Sequence, residues 1–213
     1  MSSPIPPWAA SSFELLVHAE GHYRESGDID RRLAVIGFDN AIESAITTYL
    51  SLKPIQRGDR EYKNEDVQAW LKDHTTKLSF FYEELGRRQQ GLKYPEAELR
   101  WFHQVRNDVY HSGIGGIPNE HCLRGVREAA MWAFSVLFEV PDIEVQVFEV
   151  VENLKPYPDS NLDEQLADTE SAVSIAGMTF SPGEVLIAVA PATYRQMASE
   201  VAAQSKLEDD ADD

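Results

Sequence analysis

The segment from Ile29 to Leu52 constrains the fold more than any other part of this sequence. Its apolar residues recur at intervals of three and four, the spacing that collects them on one broad face of an α-helix. Pro54 disfavours helical geometry in the residue before it and therefore ends the helix. A helix with so wide an apolar face must be covered by other helices. The face comprises Leu33, Ile36, Ala41, Ile42, Ala45, Ile46, Tyr49 and Leu50.

Four more segments before residue 140 carry helical patterns. We predict helices over 8–25, 65–90, 95–111 and 119–139, after an irregular start marked by Pro4, Pro6 and Pro7. Asp28 or Asp30 is a suitable N-cap for the second helix, and a glycine-rich turn over 112–118 separates the last two. The sequence therefore predicts a mainly α protein whose residues 8–140 form a bundle of about five helices.

The pattern changes after Pro141. Ile143–Val147 alternates apolar and polar residues like a half-buried strand, and Ala172–Phe180 and Val185–Ala190 are further predicted strands. Thr193–Gln204 has a helical pattern. We expect a small acidic α/β appendage over 141–205, with a partner-dependent segment as the alternative, and a disordered acidic tail over 206–213.

Charge is unevenly distributed along the chain. The formal net charge is −17, but residues 1–140 hold 16 basic and 20 acidic residues, whereas residues 141–213 hold 3 and 16. The acidity therefore belongs mainly to the C-terminal third, and the helical part can still present a local basic patch to RNA. The acidic third is not expected to contact phosphates, and it would suit a basic partner protein or antitoxin.

Composition also bears on the compartment. With Cys122 as its single cysteine, the chain forms no internal disulfide, which favours a reducing, cytoplasmic setting. The N-terminal residues lack the basic and apolar regions of a secretory signal. The longest apolar run, near Val185–Ala192, is far too short to span a bilayer, so we expect no membrane association.

The predicted fourth helix carries the side chains best suited to catalysis or ligand binding. On a helical wheel Leu99, Phe102, Val105 and Val109 fall on one side and are expected to face the core. The other side collects a guanidinium, an amide, two imidazoles and a phenol, with few carboxylates and no lysine. That polar arc comprises His103, Arg106, Asn107, Tyr110 and His111.

Arg106 and His111 supply what metal-free RNA cleavage requires. A guanidinium presents a planar fork of donors to a phosphate, and an imidazole exchanges a proton near neutral pH. The imidazole can take the 2′-hydroxyl proton or protonate the leaving 5′-oxygen, while the guanidinium offsets charge on the phosphate. The two residues splay by about 140° on a strict helix. Ser112-Gly113 predicts a loosened last turn that lets His111 swing back.

The stretch from Val105 to Gly113 resembles the signature of the HEPN superfamily (higher eukaryotes and prokaryotes nucleotide-binding). That signature is Arg, a polar residue and, four to six positions after the Arg, a His, near the end of the penultimate helix of a bundle. Arg106, Asn107 and His111 match it, and the glycine turn and closing amphipathic helix follow in order. The resemblance covers roughly residues 10–140.

The resemblance implies a ribonuclease of the kind found in toxin–antitoxin, abortive-infection or CRISPR systems, acting as a homodimer with a composite cleft. It implies that Arg106 and His111 are catalytic and that Asn107 holds or orients them. One subgroup, paired with a nucleotidyltransferase antitoxin, has Tyr two residues after the His; this chain has Gly113 there. We add His103, Tyr110 and Arg100 as candidate substrate-binding residues, and we expect no cofactor.

Two other functions stay open. Some members of the superfamily are inactive, so the chain is alternatively a dimerisation module that binds a partner or nucleotide in a defence complex. In that case the acidic third docks on a basic partner, or folds over the Arg106 cleft. The third alternative is a purely structural dimer without a ligand, in which Arg106 and His111 only pair with surface carboxylates and cap the helix.

Other residues have simpler explanations. His103 is more typical of a partly exposed bundle histidine, and Tyr110 of a packing residue with a solvated hydroxyl. A zinc set of His103, His111, His121 and Cys122 lacks a recognised ligand spacing, so no metal is predicted. Asp39 and Glu43 either pair with Arg106 or Arg32 or, as we expect, form a solvated acidic face.

Overall fold

The chain is mainly α-helical, as its sequence predicts. The computed structural model describes residues 4–25, 27–111, 116–154, 161–167, 173–175 and 178–209, within which ten α-helices and one short hairpin occur. The chain divides into two compact units, Met1–Val151 and Glu152–Asp213. The first reaches further than the predicted bundle of residues 8–140. No helix among the described residues combines the length and apolar character that crossing a bilayer requires.

Seven helices begin in the first unit: α1 (Ala10–Arg24), α2 (Asp28–Ser51), α3 (Asn64–Trp70), α4 (His74–Arg87), α5 (Glu96–His111), α6 (Glu120–Phe138) and α7 (Ile143–Leu154). Turns of 3-10 helix occupy Pro7–Ala9 and Pro54–Arg57. The second unit contains α8 (Leu162–Ala167), β1 (Val173–Ile175), β2 (Met178–Phe180), α9 (Pro182–Val189) and α10 (Pro191–Asp209).

Helix α2 is the centre of the first unit and packs against α1, α4, α5 and α6. The C-terminal half of its predicted apolar face, from Ala41 to Leu50, is buried. The N-terminal half is displaced: Leu33 is exposed and Ile36 only partly buried, whereas Val35 and Phe38 lie in the core. The large Phe38 ring packs edge-on against Tyr23. This contact explains why Val35 and Phe38, and not Leu33 and Ile36, are buried in this half of the helix.

The single helix predicted over 65–90 is two helices. Asp73 caps the second one, because its Oδ1 accepts a hydrogen bond from the Thr76 backbone N–H at 2.9 Å. Thr76 Oγ1 in turn accepts from the Asp73 backbone N–H at 3.2 Å. This reciprocal pair satisfies backbone groups that a continuous helix would otherwise bond, so α3 ends and α4 begins here.

The strand predicted at Ile143–Val147 is wrong, because these residues begin α7. Ile143, Val147 and Val151 recur every fourth residue and lie in the core of the first unit. Val145, which the alternating pattern placed on the same face as Ile143, is exposed. The helical spacing therefore decides which residues are buried.

The second unit is also more helical than predicted. Val185–Ala190 is not a strand, because Ser181 caps α9 by accepting a hydrogen bond from the Glu184 N–H and Pro182 suits its first turn. The segment 172–180 contains the antiparallel hairpin of β1 and β2, in which Val173 pairs with Phe180. Helix α10 extends to Asp209, into the predicted disordered tail, and residues 210–213 lie outside the described part.

Gly37 is where α1 and α2 approach most closely. A Cβ at Gly37 would lie 2.8 Å from Ala19 Cβ and 3.2 Å from Ala19 Cα, so the two backbones have no room for it. Gly37→Ala is expected to destabilise the protein by about 1–3 kcal/mol, because the helices must separate. Urea unfolding measures this cost.

Gly21→Ala is the matched control. A Cβ at Gly21 meets no atom within 4 Å, so the better helix propensity of alanine should leave stability unchanged or raise it by up to about 1 kcal/mol. Equal stability of the Gly37 and Gly21 variants would contradict the close approach of α1 to α2.

Candidate functional site

The orientation of α5 is fixed by its apolar side. Leu99 and Phe102 are buried, as predicted, and Val105 packs against the core. The Phe102 ring rests directly on α6 at Gly125, where an added Cβ would lie 2.6 Å from Phe102 Cζ. With this side held against α6, the opposite side of α5 turns towards α2 and α4.

Arg106 is held by three side-chain oxygens. Its Nη1 donates to Asn107 Oδ1 at 2.9 Å, and its Nη2 donates to Asn40 Oδ1 at 3.0 Å. Its Nε lies 3.7 Å from Asp39 Oδ2. The Arg106 side chain keeps 21% of its surface exposed. The guanidinium is therefore oriented by α2 and by its own helix, and the side chain as a whole remains partly exposed.

Asp39 is buried, with 1% of its surface exposed, so the solvated acidic face predicted for it is wrong. His103 Nδ1 donates to its Oδ2 at 2.9 Å, and the same oxygen forms a longer ion pair with Arg106 Nε at 3.7 Å, so Asp39 is a shared anionic partner of the two side chains. The charge-assisted hydrogen bond restrains the His103 ring, whereas Arg106 Nε is attracted by the charge without a hydrogen bond. The sequence offered pairing of Asp39 with Arg106 only as the less favoured alternative.

Glu43 lies one turn further along α2 and is partly exposed. Its Oε1 accepts a hydrogen bond from Lys77 Nζ at 2.6 Å. Burial by itself would raise the pKa of Glu43, but the hydrogen bond and positive charge of Lys77 outweigh it and hold that pKa below its ordinary value. Glu43 thus pairs with α4 and not with Arg106 or Arg32.

His74, at the start of α4, joins this cluster although sequence analysis did not select it. Its ring stacks on that of His103, with centroids 3.5 Å apart and planes 11° apart. Burial lowers the pKa of His74 below its ordinary value, with the neighbouring charges contributing less. His74 is distant in sequence from α2 and α5, and no pattern in one segment reveals that the three helices meet.

The structure describes the side chains of Tyr110 and Arg100 but not that of His111. Tyr110 is 63% exposed, and the Arg106 guanidinium lies 5.3 Å from its ring centroid. Arg100 Nε donates to Glu96 Oε1 at 3.1 Å, so its guanidinium pairs within α5. His111 is the last residue of α5, but its side chain and residues 112–115 lie outside the described residues. Its approach to Arg106 stays a prediction.

No family model, curated protein or solved structure matches this chain. The HEPN resemblance therefore stays a prediction from the motif, and the site is interpreted from its own geometry. That geometry combines an oriented guanidinium, a buried carboxylate and a stacked pair of imidazoles on the inner faces of α2, α4 and α5. Such a site can bind an anion and can move a proton.

Within the described residues, the zinc set considered from the sequence does not come together, and the side chain of His111 lies outside them. The group with metal-ligand spacing there is Asp39, His74 and His103, and neither His121 nor Cys122 belongs to it. His121 is exposed on α6, whereas Cys122 is buried next to it.

The buried position of Asp39 has a measurable effect on stability. Asp39→Asn is expected to destabilise the protein by about 1–3 kcal/mol, because His103 loses a charged acceptor and Arg106 loses its ion-pair partner inside the protein. Glu43→Gln, which weakens a partly exposed ion pair, should cost about 1 kcal/mol or less. Urea denaturation of the two variants gives the comparison, and a larger cost at position 43 would contradict the role of Asp39 as the shared anionic partner.

Cys122 is expected to resist alkylation in the folded protein. Burial raises the pKa of its thiol to about 11. At pH 8 the reactive thiolate should then be about a hundredfold scarcer than for a thiol titrating near 9, and burial restricts access further. Iodoacetamide labelling followed by mass spectrometry tests this, with the urea-unfolded protein as the control. Equal rates in the two states would contradict it.

Proposed function

We propose that this protein is a metal-independent endoribonuclease of a toxin or antiviral-defence type, with an Arg/His site composed across a homodimer. The observation that supports the proposal most is the state of Arg106. Its Nη1 and Nη2 donate hydrogen bonds to Asn107 and Asn40, its Nε pairs with Asp39, and the side chain as a whole keeps 21% of its surface exposed. A guanidinium held in one orientation before the substrate arrives loses little entropy on binding a phosphate.

The surroundings of Arg106 suit an RNA strand. Tyr110 presents an exposed ring beside the guanidinium, and an aromatic ring offers a stacking surface to an unpaired base. Residues 1–140 hold 16 basic and 20 acidic residues, so this part of the chain by itself exerts little overall repulsion on a phosphate. These features favour single-stranded RNA as the substrate.

In the proposed reaction, His111 accepts the proton of a 2′-hydroxyl, whose oxygen attacks the adjacent phosphorus. The bond from phosphorus to the 5′-oxygen breaks, and this oxygen receives a proton from the second His111 of the dimer. Arg106 stabilises the negative charge that develops on the non-bridging oxygens. The products are a 2′,3′-cyclic phosphate and a free 5′-hydroxyl. Asn107 and Asp39 act as positioning residues because they contact Arg106.

Cleavage of single-stranded RNA in the presence of EDTA tests the proposal. We expect wild-type protein to release 2′,3′-cyclic phosphate ends. Arg106→Ala and His111→Ala should each lower the rate by about 10²–10⁴, the range for removing a charge-stabilising or proton-transfer group. Arg106→Lys should restore little, because an ammonium cannot reproduce the planar fork.

Arg124→Ala is the matched control, because Arg124 is an exposed arginine on α6 outside this cluster. It should cleave like the wild type, and circular dichroism should show that every variant is folded. Cleavage by His111→Ala at the wild-type rate would indicate a contaminating nuclease and would sink the proposal.

The acidic C-terminal residues favour one alternative, a catalytically inactive module that binds a partner or nucleotide. Residues 141–213 carry 16 acidic residues against 3 basic ones, a charge that suits a basic partner. A wild-type protein that forms a homodimer but cleaves no RNA would support this alternative in place of the nuclease.

A further inference from the structure

We propose that Asp39, His74 and His103 form a binding site for a divalent transition-metal ion of the zinc class. These residues come from α2, α4 and α5, and one ligand atom of each lies within 4.8 Å of the other two. Two imidazoles and a carboxylate are a donor set found in protein zinc sites. The site lies beside Arg106 but does not include it.

The separation of the donors is close to what an ion requires. With zinc–nitrogen and zinc–oxygen bonds of about 2.0–2.2 Å in a tetrahedral arrangement, ligand atoms lie roughly 3.3–3.6 Å apart. Donors within 4.8 Å of one another are near that separation, and ion binding would draw them together. The His74 and His103 rings are stacked within 11° of parallel, so at least one of them must tilt for both lone pairs to point at one ion.

Unsatisfied buried atoms point to a ligand at this position. Asp39 Oδ1 and both ring nitrogens of His74 are inaccessible to solvent and have no hydrogen-bond partner. Asp39 as a whole is 1% exposed. Leaving a buried polar atom unpaired costs about 1–3 kcal/mol, so three such atoms at one place call for a compensating interaction. An ion coordinated by Asp39 Oδ1 and one imidazole nitrogen of His74 would satisfy two of the three.

The chemistry of the donors selects the class of ion. Imidazole nitrogen is a good ligand for zinc, cobalt, nickel and copper, whereas magnesium and calcium prefer oxygen ligands throughout. Glu43 is the nearest additional carboxylate, with Oε2 4.0 Å from His74 Nδ1. It supplies a fourth ligand if Lys77 releases it, and water fills that position otherwise.

The structural consequence of such an ion would be a cross-link. Three helices that otherwise meet through side-chain packing would share one centre, so the ion should stabilise the folded first unit. This inference does not rest on the proposed nuclease activity, because metal binding and stabilisation are measured without RNA.

The test uses full-length protein that has been freed of metal by a chelator. Co²⁺ is the probe, because Co²⁺ bound by four nitrogen and oxygen ligands absorbs visible light strongly. We expect one Co²⁺ per chain, displacement of Co²⁺ by Zn²⁺, and a rise in melting temperature with either ion. His74→Gln and His103→Gln should each weaken binding at least about tenfold.

His121→Gln is the matched control, since it removes an exposed histidine that lies outside the cluster, and it should bind Co²⁺ like the wild type. Histidine ring NMR of the wild type provides a readout that needs no variant: Zn²⁺ should shift the signals of two of the six histidines. Failure of the wild type to bind Co²⁺ and Zn²⁺, or unchanged binding by a folded His74→Gln, would overturn the proposal.

Discussion

A buried carboxylate on the central helix organises the face of the bundle that carries the candidate site. Removing a charge from water is costly, and the cost is tolerable only when partners surround it. Asp39 obtains its partners from His103 and Arg106, which lie one turn apart on α5. The need to pair this buried charge therefore also positions two side chains of the candidate site. Stability and site geometry here depend on one group.

The sequence predicts the helices of the first unit well where long apolar periodicity governs burial. Helices α2, α5 and α6 begin and end within two residues of their predicted limits, because a proline lies close to one end of each and Asn119 caps α6. The predicted cap of α2 is wrong, because Gly27 occupies the N-cap position and not Asp28 or Asp30. The prediction fails where a local side chain competes with the backbone, as Asp73 does, and where a short segment fits two periods, as Ile143–Val147 does. A short segment cannot reveal which of its faces the remainder of the chain will cover.

The site was predictable only in the part that lies on one helix. The wheel places Arg106 and Asn107 on one polar arc of α5, and the hydrogen bond between them agrees with the orienting role that the HEPN resemblance implies for Asn107. Asp39, Asn40 and His74 lie more than 30 residues before Arg106, so their convergence depends on how α2, α4 and α5 pack. Asp39 illustrates the difficulty, since an acidic residue in an amphipathic helix ordinarily indicates a solvent-exposed position.

The contact of Phe102 with Gly125 has a consequence for motion. An aromatic ring pressed against bare backbone leaves α5 no neighbouring rotational state, because any roll about its axis drives the ring into α6. Arg106 lies one turn beyond Phe102 on the same helix. Amide protons in the middle of α5 should therefore exchange with solvent only through opening of the whole unit. Access of a ligand to the Arg106 guanidinium must then be controlled by groups that cover it, and not by movement of α5.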